Sequence, residues 1–167
     1  MSLLSVYNIY IIPLLNPDGY QYAQTEVCFH FFFIFKKEIN CSLKRRMWRK
    51  NRSPNGHYFR SNSNCIGVDL NRNFGYHWME NGASTNPCSE TYAGPQQDSE
   101  PETIALQTFI NQTSKHWDAY LTFHSYGQYW IYPWGFALHM PDDHLELVNS
   151  NQFCRSFQFK CFFLLLF

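Results

Sequence analysis

A helix lying between two strand-like segments is the feature that most constrains the fold of this 167-residue chain. Ser99-Glu100-Pro101-Glu102 combines an N-cap serine, proline in the first turn and glutamate at the third position. This capping box predicts a helix from Ser99 to about Thr113. Residues 8–15 are rich in Ile and Leu, and residues 117–123 alternate apolar and polar side chains, so both segments are predicted strands. Strand, helix and strand in this order predict an α/β fold, with a mostly parallel or mixed central sheet flanked by helices.

The ends of the predicted strands indicate where a site would lie. Residues 8–15 show little alternation, which is typical of a strand covered on both faces, and residues 16–19 (NPDG) form a predicted turn after it. Residues 129–133 are a further predicted strand. His124 follows the predicted strand 117–123 directly, and open α/β sheets place their binding crevices at the carboxyl ends of strands.

Composition and charge exclude some classes of protein. Thirteen Lys and Arg balance thirteen Asp and Glu, so no net field attracts the chain to nucleic acid or to a membrane surface. No apolar stretch approaches the roughly 18 residues of a membrane-spanning helix, and the first residues show no export signal. The basic run at 44–52 is compatible with a nucleic-acid patch, but a solvated face or an anion site is the interpretation we favour.

Two phenylalanine-rich stretches differ from the rest of the chain. Residues 29–35 contain five Phe and residues 153–167 contain six, without the period of a helix or a strand. A buried strand is the alternative for residues 29–35. We expect residues 1–150 to form the domain, with a foreign insert at 27–44 and a foreign tail at 151–167.

Amides and guanidinium groups are the first candidates for chemistry. Asn71-Arg72-Asn73 offers two amides and a planar guanidinium, and Arg49 adds a second positive charge. Arginine binds carboxylates through two parallel hydrogen bonds, each contributing about 1.5–3 kcal/mol. The alternative is that these are ordinary surface arginines.

Cysteine and histidine spacing gives two further candidates. Cys65 and Cys88, if oxidised, would close a loop and stabilise the fold by about 3 kcal/mol, and we favour this bridge and an oxidising compartment. His77 and Glu80 have the H-x-x-E spacing of a pair of zinc ligands, although short patterns of this kind recur by chance.

Five blocks of sequence together resemble a known family, the zinc metallocarboxypeptidases of the A/B type. They occur in the family's order and are IYIIPLLNPDGYQY at 9–22, RMWRKNRS at 46–53, CIGVDLNRNF at 65–74, ASTNPCSETYAGPQQDSEPET at 83–103 and TFHSYGQYWIYPWGF at 122–136. The resemblance covers about residues 7–26 and 45–150, and it implies a partial zinc-carboxypeptidase-like fold.

The resemblance implies a role for each matching residue. It makes His124 a zinc ligand, Arg49 the catalytic cation that stabilises the oxyanion, and Asp69 the carboxylate that orients a zinc-binding histidine. It also implies that Cys65 and Cys88 form the family disulfide. The residues it assigns to substrate binding are Arg46, Asn71, Arg72, Ser125 and Tyr126.

The implied activity is the zinc-dependent release of a C-terminal residue from peptides outside the cell. The family's own H-x-x-E motif lies upstream of NPDGY and its general-base glutamate downstream of Ser150, and we find neither in this sequence. His77 and Glu80 come after NRNF and do not match that motif. We therefore expect weak or absent zinc binding and little activity, with a carboxylate-binding remnant or a non-functional product as the alternatives. We expect a peptide ligand with a free C-terminal carboxylate, and no nucleic acid or membrane partner.

Overall fold

The computed structural model describes residues 5–24, 46–54, 65–124 and 130–145, together with the backbone of residues 163–164. The chain divides into two compact units, Met1–Phe109 and Ile110–Phe167. The predicted insert at 27–44 and nearly all of the predicted tail at 151–167 lie outside the described residues.

The first unit begins with an extended segment and a helix. Helix α1 spans Pro17–Gln24. The side chain of Asn16 caps it, because its Oδ1 accepts a hydrogen bond from the Gly19 backbone nitrogen at 2.9 Å. The predicted turn at residues 16–19 was therefore wrong: an N-cap asparagine followed by proline and aspartate stabilises a helix start.

Residues 8–15 do not form the buried strand that the sequence predicted. None of the described strands includes them, and their side chains are mostly exposed, with Ile11 80% accessible. A strand needs the backbone of a neighbouring strand for its hydrogen bonds, and the one described sheet lies in the other unit. The apolar composition of residues 8–15 was therefore not sufficient to predict a buried strand.

Helix α2 spans Pro101–Thr113, so its end agrees with the sequence prediction and its start lies two residues later. Glu100 occupies the position before the first helical residue. Ser99 is not the cap, because its hydroxyl donates to Glu100 Oε1 at 2.8 Å instead. Thr103 and Leu106 form the buried face of the helix.

The core of the first unit is small and lies beside α2. Its buried apolar residues are Val68, Leu70, Tyr92, Ala93 and Leu106. Backbone hydrogen bonds from Asn51 to Val68 (2.9 Å) and from Asp69 to Tyr92 (2.8 Å) align three chain segments side by side. Cys65 and Cys88 form a disulfide bond across a sequence separation of 23, as expected.

The second unit contains a three-stranded mixed sheet. Its strands are β1 (Thr122–Phe123), β2 (Trp130–Ile131) and β3 (Phe163–Leu164), in the order β1-β3-β2. β1 is antiparallel to β3 and β2 is parallel to it. The predicted strands at 117–123 and 129–133 are present but reduced to two residues each. None of the described helices is both long enough and apolar enough to cross a membrane.

Candidate functional site

Asp69 is the centre of the candidate site. Only 2% of the residue is accessible, yet its carboxylate has two partners: Oδ2 accepts from Arg49 Nε at 2.8 Å and Oδ1 from the Asn71 backbone nitrogen at 3.2 Å. The second bond caps the 3₁₀ helix Leu70–Arg72. An extended backbone at Asp69, paired with Tyr92, leads into this turn. One buried carboxylate thus holds a guanidinium and a helical turn together.

Arg49 uses only part of its hydrogen-bonding capacity. Its side chain is 40% accessible, and the bond from Nε to Asp69 is the only one it makes to the described residues. Its two terminal nitrogens make no hydrogen bond to the described residues. A guanidinium anchored through Nε presents those nitrogens in a fixed plane, which suits an anionic or partly charged oxygen.

Arg72 is anchored in a similar way on the other side of the turn. Its Nε donates to the Gly82 carbonyl at 2.9 Å and its Nη1 to the Asn71 carbonyl at 3.0 Å, while its backbone nitrogen donates to the Asp69 carbonyl at 2.8 Å. Gly82 adopts a φ of 69°, which glycine tolerates best. Nη2 makes no hydrogen bond within the described part of the chain, and the side chain of Asn71 is exposed.

Lys50, the residue after Arg49, is buried. It is 2% accessible, donates to the Pro87 carbonyl at 2.7 Å and lies 5.9 Å from the centre of the Tyr92 ring. Burial lowers the pKa of Lys50, while Glu90 and Asp69 act in the opposite direction. Burial and the charge of Glu100 raise the pKa of Tyr92. The hydrogen bond from Lys50 to Pro87 holds the loop that carries Cys88.

The structure brings together four of the residues that the sequence singled out: Arg49, Asp69, Asn71 and Arg72 are joined through Asp69. Arg46 is exposed at the start of its segment.

The remaining candidates belong to the second unit. His124 comes directly after β1, as predicted, and is half-buried. Ser125 and Tyr126 lie outside the described residues.

Metal-binding groups are sparse in the described ranges. Those residues include no cluster of three His, Cys, Asp or Glu side chains able to hold a metal ion. His77 Nδ1 and Glu80 Oε1 lie 2.6 Å apart on the surface, but they are only a pair. A catalytic zinc takes three protein ligands, so the described residues do not by themselves form its site.

Three cations of the basic run contact other described residues. Lys50 is buried and Arg49 is paired with Asp69. The guanidinium of Arg52 lies 3.7 Å from the centre of the Tyr22 ring and 4.9 Å from that of Trp48.

Two residues of the site were missed from sequence, Asn51 and Glu100. Both are almost fully buried, and Asn51 Nδ2 donates to Glu100 Oε2 at 2.7 Å. Asn51 lies in a strongly basic run that resembles a solvated surface. No pattern in the sequence signals its burial.

A separate pocket of about 390 Å³ lies in the second unit. Its lining is Pro133, Trp134, His139, Met140, Pro141, Asp142 and Asp143. None of the predicted site residues lines it.

Comparison with known proteins identifies the family. The family model described as zinc carboxypeptidase matches residues 1–157. Carboxypeptidase B of Astacus astacus is 42% identical over 87% of this chain and 41% of its own length. Human carboxypeptidase B is 43% identical over 87% of the chain and 30% of its own length.

Solved structures show the same relationship and confirm the α/β fold class. Bovine thrombin-activatable fibrinolysis inhibitor, in complex with tick carboxypeptidase inhibitor, matches with a TM-score of 0.60 and 38% identity over 80% of this chain and 38% of its own. Carboxypeptidase A from Helicoverpa armigera matches with a TM-score of 0.66 and 29% identity over 92% of this chain and 34% of its own. The chain thus spans well under half the length of these relatives. On the evidence of its sequence blocks, its fold and these matches, the chain belongs to the zinc carboxypeptidase family.

Proposed function

We propose that this chain carries the part of a zinc carboxypeptidase that binds the free C-terminal carboxylate of a peptide. The observation that supports this most strongly is the arrangement around Asp69. Its buried carboxylate anchors Arg49 through one nitrogen and caps the turn that bears Asn71 and Arg72. Outward-facing donors on a fixed support are what recognition of a terminal carboxylate requires.

Each residue of the site has a proposed role. Asn71 and Arg72 bind the terminal carboxylate, and Arg49 donates to the carbonyl oxygen of the peptide bond to be cleaved, where negative charge develops. Arg46 contacts the peptide further from its end.

The other predicted residues belong to the second unit. Ser125 and Tyr126 line the bound peptide, and His124 is a zinc ligand in the complete enzyme. A bound zinc ion would supply Lewis acidity for attack on the carbonyl. Because His124 is the only family zinc ligand that the sequence motifs match, we propose that the 167-residue chain binds peptides without cleaving them.

The relatives and the disulfide support the same proposal. Two relatives are named carboxypeptidase B, and one solved relative is in complex with a carboxypeptidase inhibitor. The Cys65–Cys88 bond is typical of an oxidising compartment, which supports an extracellular location.

Equilibrium binding of a peptide and of its C-terminal amide tests the proposal. We expect the acid to bind at least about tenfold more tightly than the amide, since it makes one or more charge-assisted hydrogen bonds that the amide lacks. The preference should weaken as salt is added. Arg72→Gln should remove it, whereas Lys115→Gln, which deletes an exposed positive charge, should not. Equal affinity of the wild type for acid and amide would contradict the proposal.

Zinc content and turnover test the second part. After incubation with zinc and removal of the excess, we expect well under one equivalent of tightly held metal, about the level of nonspecific binding, because three ligands are required. We also expect no release of the C-terminal residue. One full equivalent that is lost in His124→Ala but kept in His77→Ala would show that the chain completes a zinc site after all.

A further inference from the structure

Three chain segments meet at the buried residue Glu100. They are the segment 46–54 that carries Arg49, the turn that carries Arg72, and the start of α2. We propose that Glu100 is a positioning residue that fixes the placement of Arg49 relative to Arg72. This role rests on the proposed function, because it concerns how the two arginines are held for a peptide that ends in a free carboxylate.

The contacts of Glu100 reach all three segments. The residue is 3% accessible. Its Oε2 accepts from Asn51 Nδ2 at 2.7 Å and its Oε1 from Ser99 Oγ at 2.8 Å, while its backbone nitrogen donates to Asn73 Oδ1 at 3.1 Å. These hydrogen-bond donors are neutral. A buried carboxylate without a cationic partner is costly to desolvate, although the N-terminus of α2 offsets part of the cost.

Asn51 connects Glu100 to Arg49. It is 1% accessible, its Oδ1 accepts from the Val68 nitrogen at 2.7 Å, and its own backbone nitrogen donates to the Val68 carbonyl at 2.9 Å. These two hydrogen bonds fix the register between the segment of Asn51 and the segment of Val68. With Asn51 opposite Val68, Arg49 reaches the neighbouring residue Asp69.

Asn73 connects Glu100 to Arg72. It is fully buried, and its Nδ2 donates to the Ala93 carbonyl at 2.8 Å and to Ser99 Oγ at 2.9 Å. Its backbone nitrogen donates to the Leu70 carbonyl at 3.1 Å and so closes the turn. The turn that bears Arg72 is therefore held on the start of α2 through Asn73.

The direction of the hydrogen bonds explains why a carboxylate is needed. Asn73 Nδ2 donates to Ser99 Oγ, which donates to one oxygen of Glu100, while Asn51 Nδ2 donates to the other. Both oxygens act as acceptors. A glutamine at this position would turn an NH₂ group toward Asn51, which removes that link, or toward Ser99, whose hydroxyl would then have to reverse its hydrogen bond and leave its own proton without this acceptor.

Glu100→Gln tests the proposal through the affinities for a peptide acid and its amide. We expect the ratio of the two affinities to fall about tenfold in this variant, because Arg49 and Arg72 are no longer held in a fixed position relative to each other. Glu90→Gln is the control: it removes the same charge from an exposed residue without a side-chain hydrogen bond in the described part of the chain, and it should leave the ratio unchanged. An unchanged ratio in folded Glu100→Gln would overturn the positioning role.

A double-mutant cycle separates positioning from stability. If Glu100 acts by placing Arg49 relative to Arg72, Glu100→Gln should have little further effect on the ratio when Arg49 is already glutamine. A full additive effect in that background would overturn the proposal.

Ser99→Ala removes one link and keeps the charge, so it replaces Glu100→Gln should that variant fail to fold. We expect it to lower the ratio in the same direction by a smaller factor, and an unchanged ratio would count against the role. Lack of any acid preference in the wild type would instead contradict the proposed function. A wild-type preference that persists in both variants would contradict only the role of Glu100.

Discussion

The carboxylate of Asp69 accepts hydrogen bonds from two partners, and these bonds reduce the free-energy cost of burying it. A buried carboxylate is costly unless its oxygens are hydrogen-bonded, and here Arg49 satisfies one oxygen and the Asn71 nitrogen the other. The Arg49 side chain of this ion pair is 40% accessible to solvent. The pair therefore contributes more to the orientation of Arg49 than to the free energy of unfolding. Asp69 thus determines where the guanidinium points.

Lys50 is the residue whose titration we expect to appear in stability. Burial lowers its pKa below 10.5, so between the folded and unfolded values the unfolded chain binds more protons. The contribution of Lys50 to the free energy of unfolding therefore rises with pH across that interval. The raised pKa of Tyr92 acts in the other direction above pH 10.0, because the folded state then resists losing the phenol proton.

Urea unfolding at a series of pH values below 10.5 checks this expectation. The wild type should gain stability relative to Lys50→Met as pH rises. Lys115→Met, which removes an exposed lysine, should keep the wild-type slope. Parallel curves for the wild type and Lys50→Met would contradict the expected effect of burial on Lys50.

At the level of elements, local signals account for what the sequence predicted correctly. Neighbouring residues were sufficient to predict that α2 begins near its proline and ends at Thr113. They were also sufficient to predict the strand that ends just before His124. The strand predicted at residues 8–15 depended on a partner strand, which no local pattern reveals. Sequence motifs likewise identified Arg49 and Arg72, but not the burial of Asn51, because burial of a polar side chain depends on distant segments.

Helix α2 contains an unsatisfied polar group that can be tested. Thr103 is fully buried and its hydroxyl has no hydrogen-bond partner in the described structure. Thr103→Val replaces that hydroxyl with a methyl group of similar size and similar helix propensity. We expect the free energy of unfolding to rise by about 1 kcal/mol, measured by urea denaturation.

Thr108→Val provides the matched control, since Thr108 lies on the exposed side of the same helix. Its effect should stay within about 0.5 kcal/mol of zero. A loss of stability in Thr103→Val would show that the hydroxyl has a favourable partner.

At the scale of the whole molecule, the first unit relies on a small core. Only five apolar residues are buried in the described part of the chain, so the Cys65–Cys88 bond has a large share in stability. It joins the segment leading into Asp69 to the loop held by Lys50. Cross-linking these segments restricts the unfolded chain more than the folded one.

Reduction of the protein measures this contribution. We expect the free energy of unfolding of the wild type to fall by about 3 kcal/mol in reductant. The double variant Cys65→Ser/Cys88→Ser should show the lower value with or without reductant. A similar loss on reduction in the double variant would assign the effect to other cysteines.

The proposed function places Asn71 and Arg72 on the terminal carboxylate of a bound peptide and Arg49 on the carbonyl oxygen of its last peptide bond. NMR of the arginine Nε–H groups, assigned with Arg49→Gln and Arg72→Gln, tests it most directly. We expect a peptide acid to shift the signals of Arg49 and Arg72 while leaving Arg52, which packs on Tyr22, in place. At the same concentration its amide should shift them much less. Equal shifts with acid and amide, or shifts confined to Arg52, would contradict the account.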